Sequence, residues 1–176
     1  NLTANAPNSS TTGHESPPVI FDLGTSKIIA ESAEYVSNTP PTMHTEISLF
    51  STGGQLVTPM FSITRPIAGF VPTPFTGVTN NNSPVAFIDQ GNLRIAQISQ
   101  GHSATNAELF VLDSTGTVIW SAPLISTIAS GPILTDIDGV AGPELVVVSG
   151  NSAAHAFSLS GTLLSGFPLT FNLTPA

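Results

Sequence analysis

Residues 130–150 read SGPILTDIDGVAGPELVVVSG, and residues 154–168 continue as AHAFSLSGTLLSGFP. An apolar run after Pro132 ends at Asp136, and a loop punctuated by Gly and Pro leads to the β-branched run LVVVS at 145–149. A further apolar run, AHAF, then stops at a turn containing Gly161. These runs are too short for helices, and Val, Ile and Phe fill pleated, half-buried positions well. A glycine in such a turn supplies the positive φ that hairpins commonly require. The stretch therefore reads as antiparallel strands joined by a loop and a tight hairpin.

The same order of signals recurs upstream. SPPVIFDLGTSKIIAES (16–32) is followed by TEISLFSTGGQLV (45–57) and IAGFVP (67–72), and SPVAFIDQGNLRIAQIS (83–99) by AELFVLDSTGTVIWSAP (107–123). Superposing the three places Asp22, Asp89 and Asp136 at one point and Gly53, Gly116 and Gly161 in a later hairpin turn, with GFVP (69–72) and GFP (166–168) as a recurrent ending. A strand, a loop, a second strand and a hairpin make four antiparallel strands, the unit of a propeller blade. No stretch of eleven or more residues carries a capped 3.6-residue period, and the 15 prolines are scattered throughout. The expectation is an all-β chain, a β-propeller-like array of about three four-stranded antiparallel blades with an extended N-terminal arm. Residues 1–16 form the arm, flexible or strand-donating; 17–72 form the first blade-like repeat, 73–129 a linker and the second, and 130–176 the third with a C-terminal tail.

Through Asp136, Asp138, Gly139, Pro143 and Glu144, the LVVVSG strand, AFSLSGTLL and GFP, the third repeat resembles the FG-GAP/VCBS-type β-propeller repeats, and LFVLDSTGTVIW adds a quinoprotein-like flavour. The resemblance covers roughly 17–171 and is strongest over 83–171. It implies a loop in which successive carboxylates and a backbone carbonyl wrap calcium, a hard cation that takes six to eight oxygens. Asp136, Asp138 and Glu144 occupy family carboxylate positions, but Val140 stands where another Asp is expected. DLGTSK keeps only Asp22, and DQGNLR only Asp89. The third loop thus reads as a metal-site remnant retained for its turn, since carboxylates can shape a loop by accepting backbone N–H bonds. Calcium held by Asp136, Asp138 and Glu144 is the alternative, and no other cofactor is expected. Trp120 resembles the tryptophan that docks neighbouring blades, so a packing role is expected of it.

Composition narrows function. Lys27, Arg65 and Arg94 are the entire basic complement against eleven acidic residues. Nucleic acid and anionic membrane surfaces are excluded as partners, because both demand cations. No apolar run approaches the length needed for membrane insertion. There is no cysteine, so disulfides and thiolate metal sites are excluded. Four sequons, at Asn1, Asn8, Asn81 and Asn172, are candidate glycosylation sites on a secreted chain.

Catalytic patterns are missing. His14, His44, His102 and His155 share no short ligand spacing, and there is no GxSxG or phosphate loop. Glu31 with Glu34, or Glu108 with Asp113, read as solvated carboxylates near strand ends rather than a glycosidase pair. Phe21, Phe50, Phe61, Phe87, Phe110, Phe157 and Phe171 are expected mostly in the core.

Three blades do not close a ring, so partners are implied. The leading expectation is an extracellular or cell-surface, non-enzymatic structural or adhesive protein that self-assembles, into extracellular filaments where the contact does not close a ring, through β-edges and the N-terminal arm. The alternatives are a propeller module binding a glycan or protein ligand, or a fragment of a larger propeller enzyme.

Overall fold

The computed structural model describes residues 14–24, 26–38, 41–57, 61–68, 82–101, 105–126, 129–140, 142–150 and 152–171. Among these residues the fold is all-β, with three antiparallel sheets and no helix. The first sheet holds β1 (His14–Glu15), β2 (Val19–Asp22), β3 (Lys27–Asn38), β4 (Pro41–Ser51) and β5 (Phe61–Pro66). The second holds β6 (Val85–Asp89), β7 (Asn92–Ser99), β8 (Glu108–Asp113) and β9 (Val118–Pro123), and the third β10 (Ile133–Thr135), β11 (Glu144–Ser149), β12 (Ala153–Phe157) and β13 (Leu169–Thr170). The second and third sheets are four-stranded meanders in chain order.

The first sheet departs from the expected four strands. Its path β1–β3–β4–β5 carries β2 as a fifth strand, because β3 and β4 form a hairpin paired from Ile28 with Ser51 to Asn38 with Pro41. β2 pairs with the first part of β3, and β1 with Ala33 and Glu34 further along it. The extra length was hidden in sequence because the inward face of β3 carries Glu34 between Ser32 and Val36, which interrupts the apolar alternation. His14 and Glu15, within the expected arm, thus lie in a strand of their own chain, while residues 1–13 fall outside the described residues.

The second sheet is packed on both faces. Ile95, Phe110 and Leu112 meet Ile28, Ala30, Ile47, Leu49, Phe61 and Ile63 of the first sheet. Ala96, Ile98, Leu109, Val111 and Ala122 meet Leu145, Val147 and Phe157 of the third. This division follows from strand alternation, which sends successive side chains to opposite faces. Each sheet has a forward face toward its successor and a back face toward its predecessor.

Equivalent back-face rows run across each sheet. Ala86, Ile95, Leu112 and Val118 are cross-strand neighbours in the second sheet. Leu134, Leu145, Phe157 and Leu163 are their counterparts in the third. In the first the row is Ile20, Ile29, Phe50 and Leu56. The repeat read from the sequence is therefore a repeat of packing surfaces.

The hairpin turns repeat atom for atom in their closure. Gly54 N–H donates to Ser51 O at 2.9 Å, Gly116 N–H to Asp113 O at 3.1 Å, and Gly161 N–H to Ser158 O at 2.9 Å. The equivalent of Gly116 and Gly161 is Gly54, not Gly53: φ is +76° at Gly54, +84° at Gly116 and +88° at Gly161. In STGGQ two adjacent glycines satisfy the pattern, and only hydrogen-bond register distinguishes them.

Of the phenylalanines, Phe61, Phe87, Phe110 and Phe157 are buried, Phe21 and Phe50 are half-buried, and Phe171 is exposed.

Candidate functional site

The loop between β10 and β11 brings together three carboxylates. Ligand oxygens of Asp136, Asp138 and Glu144 all lie within 4.8 Å of one another, with Glu144 buried and both aspartates exposed. Glu144 begins β11, and its Oε2 accepts a hydrogen bond from Ile137 N–H at 2.9 Å. Asp136 Oδ1 accepts from Gly139 N–H at 2.7 Å, and Asp138 Oδ1 from Val140 N–H at 2.8 Å. Every carboxylate of the cluster thus accepts a backbone N–H of the loop itself. Each also retains lone pairs that could serve a hard cation, so the donor set fits calcium in chemical type.

The two equivalent loops answer the same Asp differently. Asp22 accepts a hydrogen bond from Gly24 N–H at 3.0 Å and pairs with Lys27 at 3.2 Å. Asp89 faces Arg94 across 3.9 Å. In the first and second sheets a basic side chain of the same hairpin offsets the Asp, whereas the third loop contains three acids and no base.

A second polar cluster lies between the first and second sheets. Arg65, projecting from β5, pairs through Nε with Glu108 Oε2 at 3.1 Å and donates from Nη2 to Asn106 O at 2.7 Å and from Nη1 to Ser99 O at 3.2 Å. Its guanidinium also lies over the Phe110 ring, 5.9 Å from the centroid. Glu34 accepts from Gln100 N–H and from the Thr45 hydroxyl, each at 2.9 Å. Burial pushes the Glu34 carboxyl up to about 7, against the opposing pull of these hydrogen bonds and of Arg65. Burial likewise lowers the Arg65 guanidinium, opposed by Glu108 and Glu34. Glu34 and Glu108 are therefore not the solvated strand-end carboxylates expected from sequence. Glu34 sits within β3 on its forward face, and Glu108 begins β8 beside an arginine supplied by the neighbouring sheet.

Asp113 belongs to the second-sheet turn, where it accepts hydrogen bonds from the Thr115 hydroxyl and from the N–H groups of Thr115 and Thr117. These bonds hold its carboxyl below the usual range, the Thr115 hydroxyl contributing most. It serves as the closure of a turn.

Trp120 lies at the second interface. Its indole N–H donates to Leu159 O at 2.9 Å, and its ring covers the turn of the third sheet so closely that a Cβ on Gly161 would meet Cδ2 at 2.8 Å. Phe61 does the same one sheet earlier: a Cβ on Gly116 would meet its Cδ1 at 2.5 Å. An aromatic side chain from the last strand of one sheet thus covers the left-handed glycine of the next sheet's turn. The Phe61 contact is not legible in sequence, because the partners are 55 positions apart and only the repeat alignment relates them.

A buried amide network joins all three sheets. Asn82 donates from Nδ2 to Ala129 O at 3.0 Å, and its own carbonyl accepts from Ser32 Oγ at 2.8 Å and Gln97 Nε2 at 3.1 Å. Gln100 pairs in both directions with the Ala129 backbone, at 2.7 and 2.9 Å. Such a network rewards one sheet arrangement over others, because unmaking it strands buried donors.

His44 stacks on Tyr35 with ring centroids 4.6 Å apart, and His155 stacks with Phe157 at 6.2 Å. Burial lowers both imidazoles, opposed at His44 by Glu46. Neither belongs to a three-residue metal-ligand group among the described residues. Asn1, Asn8, Asn81, Asn172 and His102 lie outside the described residues.

Comparison of this chain with protein-family models, with curated proteins and with solved structures found no match.

Proposed function

We propose that this chain is a secreted, non-enzymatic structural or adhesive protein, built from blade-like sheets of propeller type, that assembles with further copies of itself into extracellular filaments or closed rings. The observation that carries this reading is the stack itself. Its second sheet is covered on both faces, while the first and third each retain an apolar face beyond which the described chain provides no further sheet. Exposed Ile20 with half-buried Ile29 and Phe50 marks one such face, and Ile133, Val148 and Leu169 the other. Monomers that expose large apolar areas are uncommon, and such areas mark interaction surfaces. Four sequons and few ionic side chains support an extracellular location. Absence of enzymatic activity is supported by the engagement of Glu34, Arg65, Glu108 and Asp113 in packing and turns rather than in a shared cleft.

The N-terminal arm belongs to this reading as a strand donor to the next subunit, now confined to residues 1–13 because Ser16 is buried and bonded to Ser32. Electron microscopy of the concentrated full chain tests the proposal: filaments or rings are expected, and dispersed single particles at every concentration contradict it. Removal of residues 1–13 is expected to abolish assembly while leaving the β-sheet circular dichroism intact; assembly that survives removes strand donation from the proposal.

A second reading, a calcium-dependent module for a glycan or protein ligand, is favoured by one observation, the three convergent carboxylates of the β10–β11 loop. Binding to a glycan array that requires calcium would support it.

A further inference from the structure

We infer that the back face of the first sheet is the docking surface for the forward face of the third sheet of a second copy of this chain, so that association proceeds head to tail. The inference rests on the self-assembly reading above and specifies its surfaces.

The argument is continuity with two interfaces already formed within the chain. At each, the central residues of an apolar row on the back of one sheet meet the forward face of the sheet before it, while the outermost residue, Val118 or Leu163, stays exposed. Ile95 and Leu112 of the second-sheet row are fully buried against the first sheet, and Leu145 of the third-sheet row against the second. The first sheet carries the equivalent row, Ile20, Ile29, Phe50 and Leu56, with no preceding sheet among the described residues. Ile20 is 64% exposed and Ile29 and Phe50 are half-buried, whereas Ile95, Leu112, Leu145 and Phe157 at the central positions of the covered rows are buried.

The turn glycine gives the same answer independently. Gly116 lies under Phe61 and Gly161 under Trp120, whereas a Cβ on Gly54 would meet nothing within 4 Å among the described residues. One of three equivalent aromatic seats is thus open, and it lies on the sheet whose back row is open. At the far end of the stack, the third sheet presents a forward face in which Ile133 is 56%, Val148 44% and Leu169 46% exposed. Ile133 pairs with Val146 as Val85 pairs with Ala96 in the second sheet; at the centre of this face Val146, Ala154 and Ala156 are buried, so its exposed area is carried by Ile133, Val148 and Leu169.

The two surfaces differ, so the contact is heterologous: it generates a ring if the rotation closes and a filament if it does not. This distinguishes it from a two-fold dimer in which either face meets its own copy.

The test uses two variants of the full chain, Ile20→Lys on the back face and Ile133→Lys on the forward face. Both positions are exposed, and lysine lowers the net charge of −8, so any loss of association cannot be charged to added repulsion. Light scattering after size exclusion is expected to give a concentration-dependent mass above 18.1 kDa for the parent chain, and about 18.1 kDa for each variant alone. An equimolar mixture of the variants is expected to stop at twice the monomer mass, since each supplies the face the other lacks. Circular dichroism and thermal unfolding confirm that each variant keeps its β-structure.

Three results overturn the inference. Variants that keep the parent mass leave self-assembly standing but place it on other surfaces. Variants that each form homodimers indicate face-to-itself contacts. A parent chain that is monomeric until residues 1–13 are removed shows that its own N-terminal segment, rather than a second copy, occupies the face.

Discussion

The aromatic seats allow a local cost to be separated from a packing cost within one molecule. Gly54, Gly116 and Gly161 occupy equivalent turns with similar positive φ. An alanine at any of them incurs the left-handed penalty of an L-residue, about 1–2 kcal/mol. At Gly54 nothing further among the described residues opposes the methyl group. At Gly116 the added carbon would stand 2.5 Å from Phe61 Cδ1, well inside the roughly 3.5–4.0 Å of an optimal carbon–carbon contact. Phe61 is 4% exposed and enclosed by the first core, so its ring has little room to retreat. Overpacking of this kind costs about 1–3 kcal/mol. Gly116→Ala is therefore expected to lose about 2–5 kcal/mol and Gly54→Ala about 1–2 kcal/mol. Urea unfolding in the Ile133→Lys background keeps self-association out of the comparison. Equal losses at the two glycines would refute the assignment of Phe61 as a ring held against the second-sheet turn.

Glu34 gives a pH dependence with a defined sign. Its folded pKa lies at about 7, above the ordinary 4.5, so its contribution is fully present below pH 4.5 and is lost as pH rises to about 7. Linkage sets a ceiling of about 3 kcal/mol, and the residue's partial solvent contact reduces this to about 1–2 kcal/mol. Glu34→Gln should flatten stability between pH 4.5 and 7.5 in denaturant titrations, and a slope unchanged from the parent would remove Glu34 as its source. Arg65→Ala should cost about 2–3 kcal/mol, because it removes the charge opposite half-buried Glu108 and leaves it only the Ser121 hydroxyl; a loss below about 1 kcal/mol in chemical denaturation would make the pair a surface one. In the β10–β11 loop, Asp136→Ala should lower stability by about 1–3 kcal/mol through loss of the charged hydrogen bond to Gly139, equally in calcium and in chelator. A calcium-dependent difference in melting temperature would instead restore the loop as a working metal site.

How much of this could be read from the chain depended on whether the signal was local. Val, Ile, Leu and Phe runs ending at Asp22, Asp89 and near Asp136 located β2, β6 and β10, and the glycine turns at 116 and 161 were placed correctly, because alternation and turn chemistry act within a few residues. The extent of β3 was not legible: Glu34 occupies an inward position and breaks the apolar period, and it is tolerated there only because Thr45 and the Gln100 backbone, distant in sequence, satisfy it. β5 was missed for a related reason. Phe61 and Ile63 alternate inward, but the run is only six residues long and is bracketed by Pro59 and Pro66. The acidic cluster was visible as spacing, yet its internal hydrogen bonds depend on how the loop folds back onto β11. The inter-sheet staple of Arg65 left no trace in sequence, since a lone arginine in a nearly charge-free chain looks the same whether it faces solvent or a neighbouring sheet.

The most direct test of the account is the mass of the native full chain in solution, measured by light scattering over a wide range of concentration, with an intact mass on the same peak. A species heavier than 18.1 kDa that grows with concentration, with glycan mass accounted for separately, is the expected result. A single monomeric species at every concentration would contradict the proposal that the two open faces of the stack meet in a second copy.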